Sequence, residues 1–333
     1  MSTRIHGHPD EAGDGKCPVT VLTGFLGAGK TTLLNKLTRS KAQNRFAVIV
    51  NEFGALGIDG ALIASAQDDV IQLSNGCLCC TVRGDLIEAC ERLAARRQDF
   101  DHLVIEMSGL ADPAPVAQSF LLGDGPSERF RLDGIICLAD VLCIRDQIRR
   151  EEVALRQIAM ADRLILSKTD LLDPGSVSAL IAELATINPA ARIQPSSIVR
   201  PAVEDLTDLG AWQIGGIPAQ IRYAPPLRHD AAIRSVSFRY DRPLDFTAFS
   251  LFIRRLMAVS GEDLLRIKGI LWLEGEERRF VYHGVQALVD GDVTEPWPEG
   301  PRHSDLVFIG RNLKEAMLKA GLDACLAPGH SDI

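Results

Sequence analysis

Residues Val19-Thr20-Val21-Leu22-Thr23-Gly24-Phe25-Leu26-Gly27-Ala28-Gly29-Lys30-Thr31-Thr32 decide the fold. An apolar, β-branched run gives way to a glycine-rich turn, and a Lys-Thr pair then opens the helical pattern Thr32 to Leu37. That order is a strand, a phosphate loop and a helix. The glycines let successive backbone N–H groups turn inward around phosphates, so Gly24, Gly27, Ala28, Gly29 and Thr32 are candidates to line the ligand. Lys30 reaches the outer phosphates and the Thr31 hydroxyl can ligate magnesium. A glycine-rich turn of purely structural use has no need of that Lys-Thr pair. The motif predicts a bound nucleoside triphosphate.

Short apolar runs recur on the C-terminal side, at Phe46 to Val50, Val70 to Leu73, Leu103 to Ile105, Gly134 to Ala139 and Leu164 to Leu166. Helical patterns separate most of them. From Asp85 to Arg97, Leu86, Ile87, Cys90, Leu93 and Ala94 share one face and Glu88, Glu91, Arg92 and Arg96 the other, which places Cys90 in the core. This alternation predicts an α/β fold of the P-loop NTPase type, a mostly parallel sheet with helices on both faces, with ligands gathered beyond the carboxyl ends of the strands.

The chain has 333 residues, enough for two domains and a sizeable core. Residues 1–16 are polar and Gly-rich and read as a solvated tail carrying His6 and His8. The nucleotide domain is expected over 17–198. Around 199–230 the pattern dissolves into Pro, Gly and polar residues, the signature of a linker. Beyond it, Ile233 to Tyr240, Ile267 to Leu273, Arg279 to His283 and Asp305 to Ile309 read as strands, with helices over Asp245 to Val259 and Asn312 to Ala320. A smaller α+β domain over 231–323, an antiparallel sheet backed by two helices, is the expectation. Net charge is -8 with no long basic run, which argues against nucleic acid as a partner. No apolar stretch reaches the ~20 residues that span a bilayer, and no secretory signal opens the chain, so a cytoplasmic protein without a membrane partner is expected. Eight cysteines, three crowded at Cys77, Cys79 and Cys80, suit reduced thiols rather than a secreted disulfide framework.

Two further segments complete a nucleotide site. Strand Leu103 to Ile105 delivers Glu106-Met107-Ser108-Gly109, where Glu106 can hold magnesium through water while the Gly109 amide approaches the terminal phosphate. Lys30, Thr31, Glu106 and Gly109 are thus the candidate catalytic set. Leu110 stands where many GTPases place a water-orienting Gln, which predicts slow unaided turnover, roughly 10⁻⁴ to 10⁻² per second. Ser167-Lys168-Thr169-Asp170 resembles the guanine-reading Asn-Lys-x-Asp motif. Asp170 can accept from guanine N1–H and its exocyclic amine, which adenine cannot match. Lys168 can lay its stem along the base, while Ser167 lacks the Asn amide and so removes one orienting contact. GTP is the predicted ligand.

Gly76-Cys77-Leu78-Cys79-Cys80 follows the run Val70 to Leu73. In an extended backbone Cys77 and Cys79 project to one side, and a bend brings Cys80 toward them. Three soft thiolates suit zinc, cobalt or Cu(I), and three sulfurs leave a fourth position for water, for Glu52 or for an incoming ligand. A redox pair and buried apolar cysteines are the competing readings.

At this point the chain resembles a family. The phosphate loop, Asn51-Glu52-Phe53-Gly54 with Gly57-Ile58-Asp59, Cys77-Leu78-Cys79-Cys80, Glu106-Met107-Ser108-Gly109-Leu110-Ala111-Asp112-Pro113 and Ser167-Lys168-Thr169-Asp170 stand in the order seen in CobW-type GTPases. The resemblance covers nearly the whole chain. It implies a GTP-dependent metallochaperone linked to zinc delivery or cobalt handling, with the Cys-x-Cys-Cys thiolates carrying the metal toward a client metalloprotein. Two departures stand out: Glu-Met-Ser-Gly replaces the commoner Glu-Thr-Thr-Gly, and no His-rich run separates the domains. The C-terminal domain is the natural place for client recognition, though Trp272, Tyr282 and His283 read more simply as core and strand residues. A homo-oligomer stays open. Two rival functions remain at the level of residues: a small-molecule phosphotransferase using the same phosphate loop, and a GTP-gated binding switch in which the thiols are incidental.

Overall fold

The computed structural model describes residues 15–39, 45–51, 70–73, 81–121, 125–196, 207, 209–211, 233–286 and 288–328. The chain divides into two compact units, the first over the described parts of residues 15–184 and 191–211, the second over 185–190 and the described parts of 233–328.

In the first unit seven parallel strands form one sheet. In chain order the elements are β1 (Cys17–Thr23), α1 (Lys30–Arg39), β2 (Phe46–Asn51), β3 (Val70–Leu73), α2 (Thr81–Ala94), β4 (His102–Met107), α3 (Ala114–Ser119), β5 (Phe130–Asp140), α4 (Ile144–Arg150), α5 (Glu152–Met160), β6 (Arg163–Ser167), α6 (Pro174–Ile187) and β7 (Arg192–Pro195). Their spatial order is β3-β2-β4-β1-β5-β6-β7. The connections run outward in opposite directions from β1, so the loop that leaves β1 sits at the topological switch point, where an open α/β sheet gathers ligands. Burial on both faces explains the unbroken apolar runs: Val19, Val21, Leu103, Ile135, Ile136 and Leu164 are all fully buried. Cys90 is in the core, as the face of α2 requires. Strand β7 escaped the sequence pattern because it lies at the sheet edge, is half-exposed and ends on Pro195, which an edge strand tolerates.

The second unit carries β8 (Arg234–Tyr240), α7 (Phe246–Ser260), β9 (Leu264–Leu271), β10 (Arg278–Val285), β11 (Leu288–Pro296), β12 (Ser304–Gly310) and α8 (Glu315–Asp323). The strands form an antiparallel sheet in the order β11-β10-β9-β12-β8. Phe238, Ile267, Leu271, Phe280, Tyr282, Leu306 and Phe308 project from one face onto Phe249, Ile253, Leu318 and Leu322 of the two helices. Phe249 and Tyr282 meet edge to face at 5.2 Å. Asp245 caps α7 by accepting from the Ala248 N–H. Tyr282 and His283 are buried strand residues and Trp272 is half-buried.

Three expectations shift. Strand β9 begins at Leu264 rather than Ile267, because Arg266, which interrupts the apolar pattern, is itself buried in the sheet. Strand β11 was missed, since its Asp-Gly-Asp core lacks alternation. The last helix begins at Glu315 rather than Asn312, whose φ of 48° lies in the left-handed region that a right-handed helix excludes.

Candidate functional site

Strand register sets the site. Leu22 pairs with Glu106, placing the end of β4 level with the start of the phosphate loop. Asp140 pairs with Ser167, which aligns the ends of β5 and β6 beside it. Gly24 turns the chain at φ 133°, and a side chain there would strike the Leu138 carbonyl oxygen. Only glycine fits that turn. Gly27 and Gly29 also have positive φ, Ala28 is buried, and α1 opens at Lys30.

Lys30 is 8% exposed, and its Nζ donates to the Gly24 carbonyl at 2.7 Å and to the Phe25 carbonyl at 3.2 Å. The ammonium therefore rests inside the curve of the loop. The Thr31 hydroxyl donates to Glu106 Oε1 at 2.9 Å. Two hard oxygens, one from the first turn of α1 and one from the end of β4, converge there, the donor type that magnesium selects. Thr32 is exposed on the next position of the helix. Gly109 lies against Leu26 so closely that an added Cβ would sit 2.6 Å from the Leu26 nitrogen. The segment after Glu106 and the phosphate loop are in contact.

The Ser167 hydroxyl donates to the Ala28 carbonyl at 2.8 Å and ties the β6 end to the phosphate loop. Lys168 has φ 61°, a left-handed conformation that turns its side chain back, and Nζ pairs with Asp140 at 2.5 Å and donates to the Gly27 carbonyl at 3.3 Å. Asp170 is exposed in the short turn that follows. Asp140 itself, 4% exposed at the end of β5, was missed; the only signal was a carboxylate closing an apolar run. Gln157 of α5 was also missed. It donates to the Gly109 and Ala111 carbonyls and no local pattern marks it.

Cys77, Cys79, Cys80 and Glu52 lie outside the described residues, as do His6 and His8. Among the described residues no group of three His, Cys, Asp or Glu side chains is placed to hold a metal. The described thiols divide sharply. Burial pushes Cys17 up to about 11 and Cys90 and Cys137 up to about 12, which keeps them protonated, whereas Cys143 is exposed. No helix among the described residues is long and apolar enough to cross a membrane.

Comparison with known proteins agrees with this geometry. A model described as the CobW/HypB/UreG nucleotide-binding domain matches residues 18–195, and one described as the cobalamin synthesis protein cobW C-terminal domain matches residues 233–326. The zinc chaperone YjiA of Escherichia coli (strain K12) is 36% identical over 311 residues, covering 91% of this chain and 96% of that protein. A zinc-regulated GTPase metalloprotein activator of Schizosaccharomyces pombe is 32% identical, covering 89% of this chain and 82% of its own. The crystal structure of Zn(II)-bound YjiA GTPase from E. coli superposes with a TM-score of 0.75 at 30% identity, covering 94% of this chain and 99% of that one. With its phosphate loop, acidic strand end and C-terminal sheet all accounted for, the chain belongs to the CobW/HypB/UreG family of nucleotide-binding proteins.

Proposed function

We propose that this protein is a GTP-hydrolysing metallochaperone that binds a thiophilic divalent metal, zinc first and cobalt next, and passes it to a client metalloprotein. One observation carries the reading: Thr31 and Glu106, 75 residues apart, meet at 2.9 Å beside the phosphate loop, and the Cys-x-Cys-Cys motif lies between them in sequence. The relatives named as zinc chaperones and zinc-regulated GTPases support it.

In this reading the phosphate-loop amides and Lys30 hold the outer phosphates, and Gly109 presents its N–H to the third. Thr31 and Glu106 would hold magnesium, which supplies charge neutralisation at the phosphates. Ser167, Lys168 and Asp170 frame the guanine, with Ser167 and Lys168 anchored to the phosphate loop and to Asp140. Hydrolysis is slow until a partner assists, since Leu110 offers no polar group to orient water. Zinc is cargo, held by Cys77, Cys79 and Cys80, with the fourth position open to water, to Glu52 or to an incoming ligand. A triphosphate-sensitive segment on each side of the thiols lets hydrolysis weaken their grip, and reciprocity then requires metal to change GTP affinity by the same factor. The nucleotide domain spans 17–198 and the client-facing domain 231–323.

The test is purification under reducing, anaerobic conditions with metal quantification in the nucleotide-free, GTP-analogue and GDP states, repeated after Cys77, Cys79 and Cys80 are changed to Ser. Tight uptake of one zinc or cobalt that depends on nucleotide and vanishes in the variant is the expected result. A wild-type protein that holds no thiophilic ion in any state removes the delivery role. The control matters because a variant of the E. coli relative with one glutamate and two consecutive cysteines replaced by alanine is also a Zn(II)-bound structure.

A further inference from the structure

Helix α5 grips the segment that follows Glu106, and it does so through two neighbouring side chains. Gln157 is 1% exposed, and its Nε2 donates to the Gly109 carbonyl at 3.0 Å and to the Ala111 carbonyl at 3.1 Å. Arg156 donates from Nη1 to Asp112 Oδ2 at 2.9 Å, while its Nε holds Glu152 at 2.9 Å. Asp112 in turn accepts from the Ala114 N–H with its other oxygen, which ties the same segment to the start of α3. Gly109, Ala111 and Asp112 are thus fixed to one helix face at three points.

The amide of Gln157 is used asymmetrically. Both of its donor hydrogens have carbonyl partners, but its Oε1 is buried with no partner among the described residues. A buried acceptor left unpaired is unfavourable, so an apolar side chain of the same length would suit this place better if filling space were the whole requirement. The polar contribution of Gln157 is donation to the two carbonyls and nothing else. Those carbonyls belong to the stretch whose first residue touches the phosphate loop at Leu26.

We infer that Gln157, assisted by Arg156, is a positioning residue for the triphosphate state: it holds the Gly109 segment where the Gly109 N–H meets the third phosphate. The inference rests on the reading of Gly109 as the group that senses that phosphate. The donor contacts of Gln157 are to the Gly109 and Ala111 carbonyls, so its effect on nucleotide passes through that segment. It acts by limiting the conformations open to Gly109, so it favours GTP over GDP and favours the hydrolytic geometry, and it is neutral toward the guanine and the inner phosphates.

The experiment uses the full chain with magnesium and measures the affinities of a non-hydrolysable GTP analogue and of GDP, with single-turnover hydrolysis, for wild type, Gln157→Met, Arg156→Ala and Gly109→Ala. Gln157→Met keeps side-chain length and removes both donors. It is expected to lower analogue affinity by about tenfold while GDP affinity holds within about twofold. Single-turnover hydrolysis should fall in step. Arg156→Ala, at a partly exposed position, is expected to shift the same ratio in the same direction by about threefold, and serves if the core variant does not fold. A general loss of structure would weaken both nucleotides together and overturn the inference. If Gly109→Ala changes the analogue-to-GDP ratio and neither α5 variant does, the inference falls and the reading of Gly109 stands. If wild type and Gly109→Ala share one ratio, the sensor itself is misassigned and both fall.

Discussion

The two ends of the parallel sheet are built from opposite materials. At the carboxyl end, beyond β1, β4, β5 and β6, polar groups face one another across short distances: Lys30 on the loop carbonyls, Thr31 on Glu106, Lys168 on Asp140, Gln157 on Gly109. At the amino end, Phe100 and Phe130 are buried, the Cys17 thiol points at the Asp101 carbonyl, Cys90 is buried on the inner face of α2, and Arg45 forks onto Asp101. Asp133 near the start of β5 accepts from the Leu209 and Gly210 N–H groups and pins the chain that follows β7. One end closes the core; the other collects charge. Parallel strands make this division, because all their carboxyl ends, and hence the helix N-termini that follow, point the same way.

The largest effect that would sharpen the contrast is expected from Lys30→Ala. Removing the ammonium that reaches the outer phosphates should lower GTP-analogue affinity and single-turnover hydrolysis by about a hundredfold or more. Cys17→Ala at the other end should leave both within about twofold. Equal losses in the two variants, read by equilibrium titration and thermal melting, would mean that the ends are not functionally separate. Gly109→Ala comes next. The new Cβ would lie 2.6 Å from the Leu26 nitrogen, a backbone atom that cannot swing away, so the segment must retreat from the phosphate loop. Hydrolysis is expected to fall by about tenfold to a hundredfold with GDP affinity preserved. An unchanged rate would show that Gly109 is not held against the phosphate loop during turnover.

These two positions also mark how far the sequence could be read. Gly24 to Thr31 are legible because loop, cation and hydroxyl are adjacent in the chain and each residue type is needed where it stands. The fold class followed from apolar runs that both-sided burial requires. Gln157 and Asp140 were invisible for the converse reason: Gln157 meets Gly109 across 48 residues and Lys168 meets Asp140 across 28, so their roles exist only after the sheet has formed. In the sequence Ser167 shows only that an amide is lacking; the bond of its hydroxyl to the Ala28 carbonyl spans 139 residues and exists only in the fold. In the second unit, Arg266 hides the start of β9 because a charged residue buried in a strand defeats a reading based on alternation.

Thiol chemistry offers a third comparison, of intermediate size. Burial raises Cys17 to about 11 and Cys90 to about 12, so at pH 8 about one in a thousand and one in ten thousand respectively is thiolate. An alkylating reagent at that pH should modify exposed Cys143 in the native protein and leave Cys17 and Cys90 untouched, as peptide mass analysis would report. The sign is fixed: thiolate grows tenfold per pH unit, so Cys90 stays below about one in a hundred even at pH 10. Labelling of Cys90 at the rate of Cys143 would show that the amino end opens. The thiols at Cys77, Cys79 and Cys80 are expected to behave as a third class, reactive without metal and protected when zinc is added.

The smallest effect separates two carboxylates at the amino end. Hydrogen bonds from Arg45 hold Asp101 below its ordinary 3.8, whereas burial pushes Asp133 above it despite two N–H donors. The consequences for folding have opposite signs. For Asp101 the stabilisation is complete above 3.8 and disappears as pH falls through the lower folded value. For Asp133 the ionised form is penalised in the folded state, so stability declines as pH rises from 3.8 through the higher folded value and the penalty is then constant. Asp101 and Arg45 are both about half-exposed, so screening keeps Asp101→Asn to a cost of about 0.2–1 kcal/mol at pH 7, and the cost should shrink as pH falls through the lowered folded value. Denaturant melts of wild type and Asp101→Asn across that range measure the difference directly. A gap that widened on acidification would place the lowered carboxylate elsewhere.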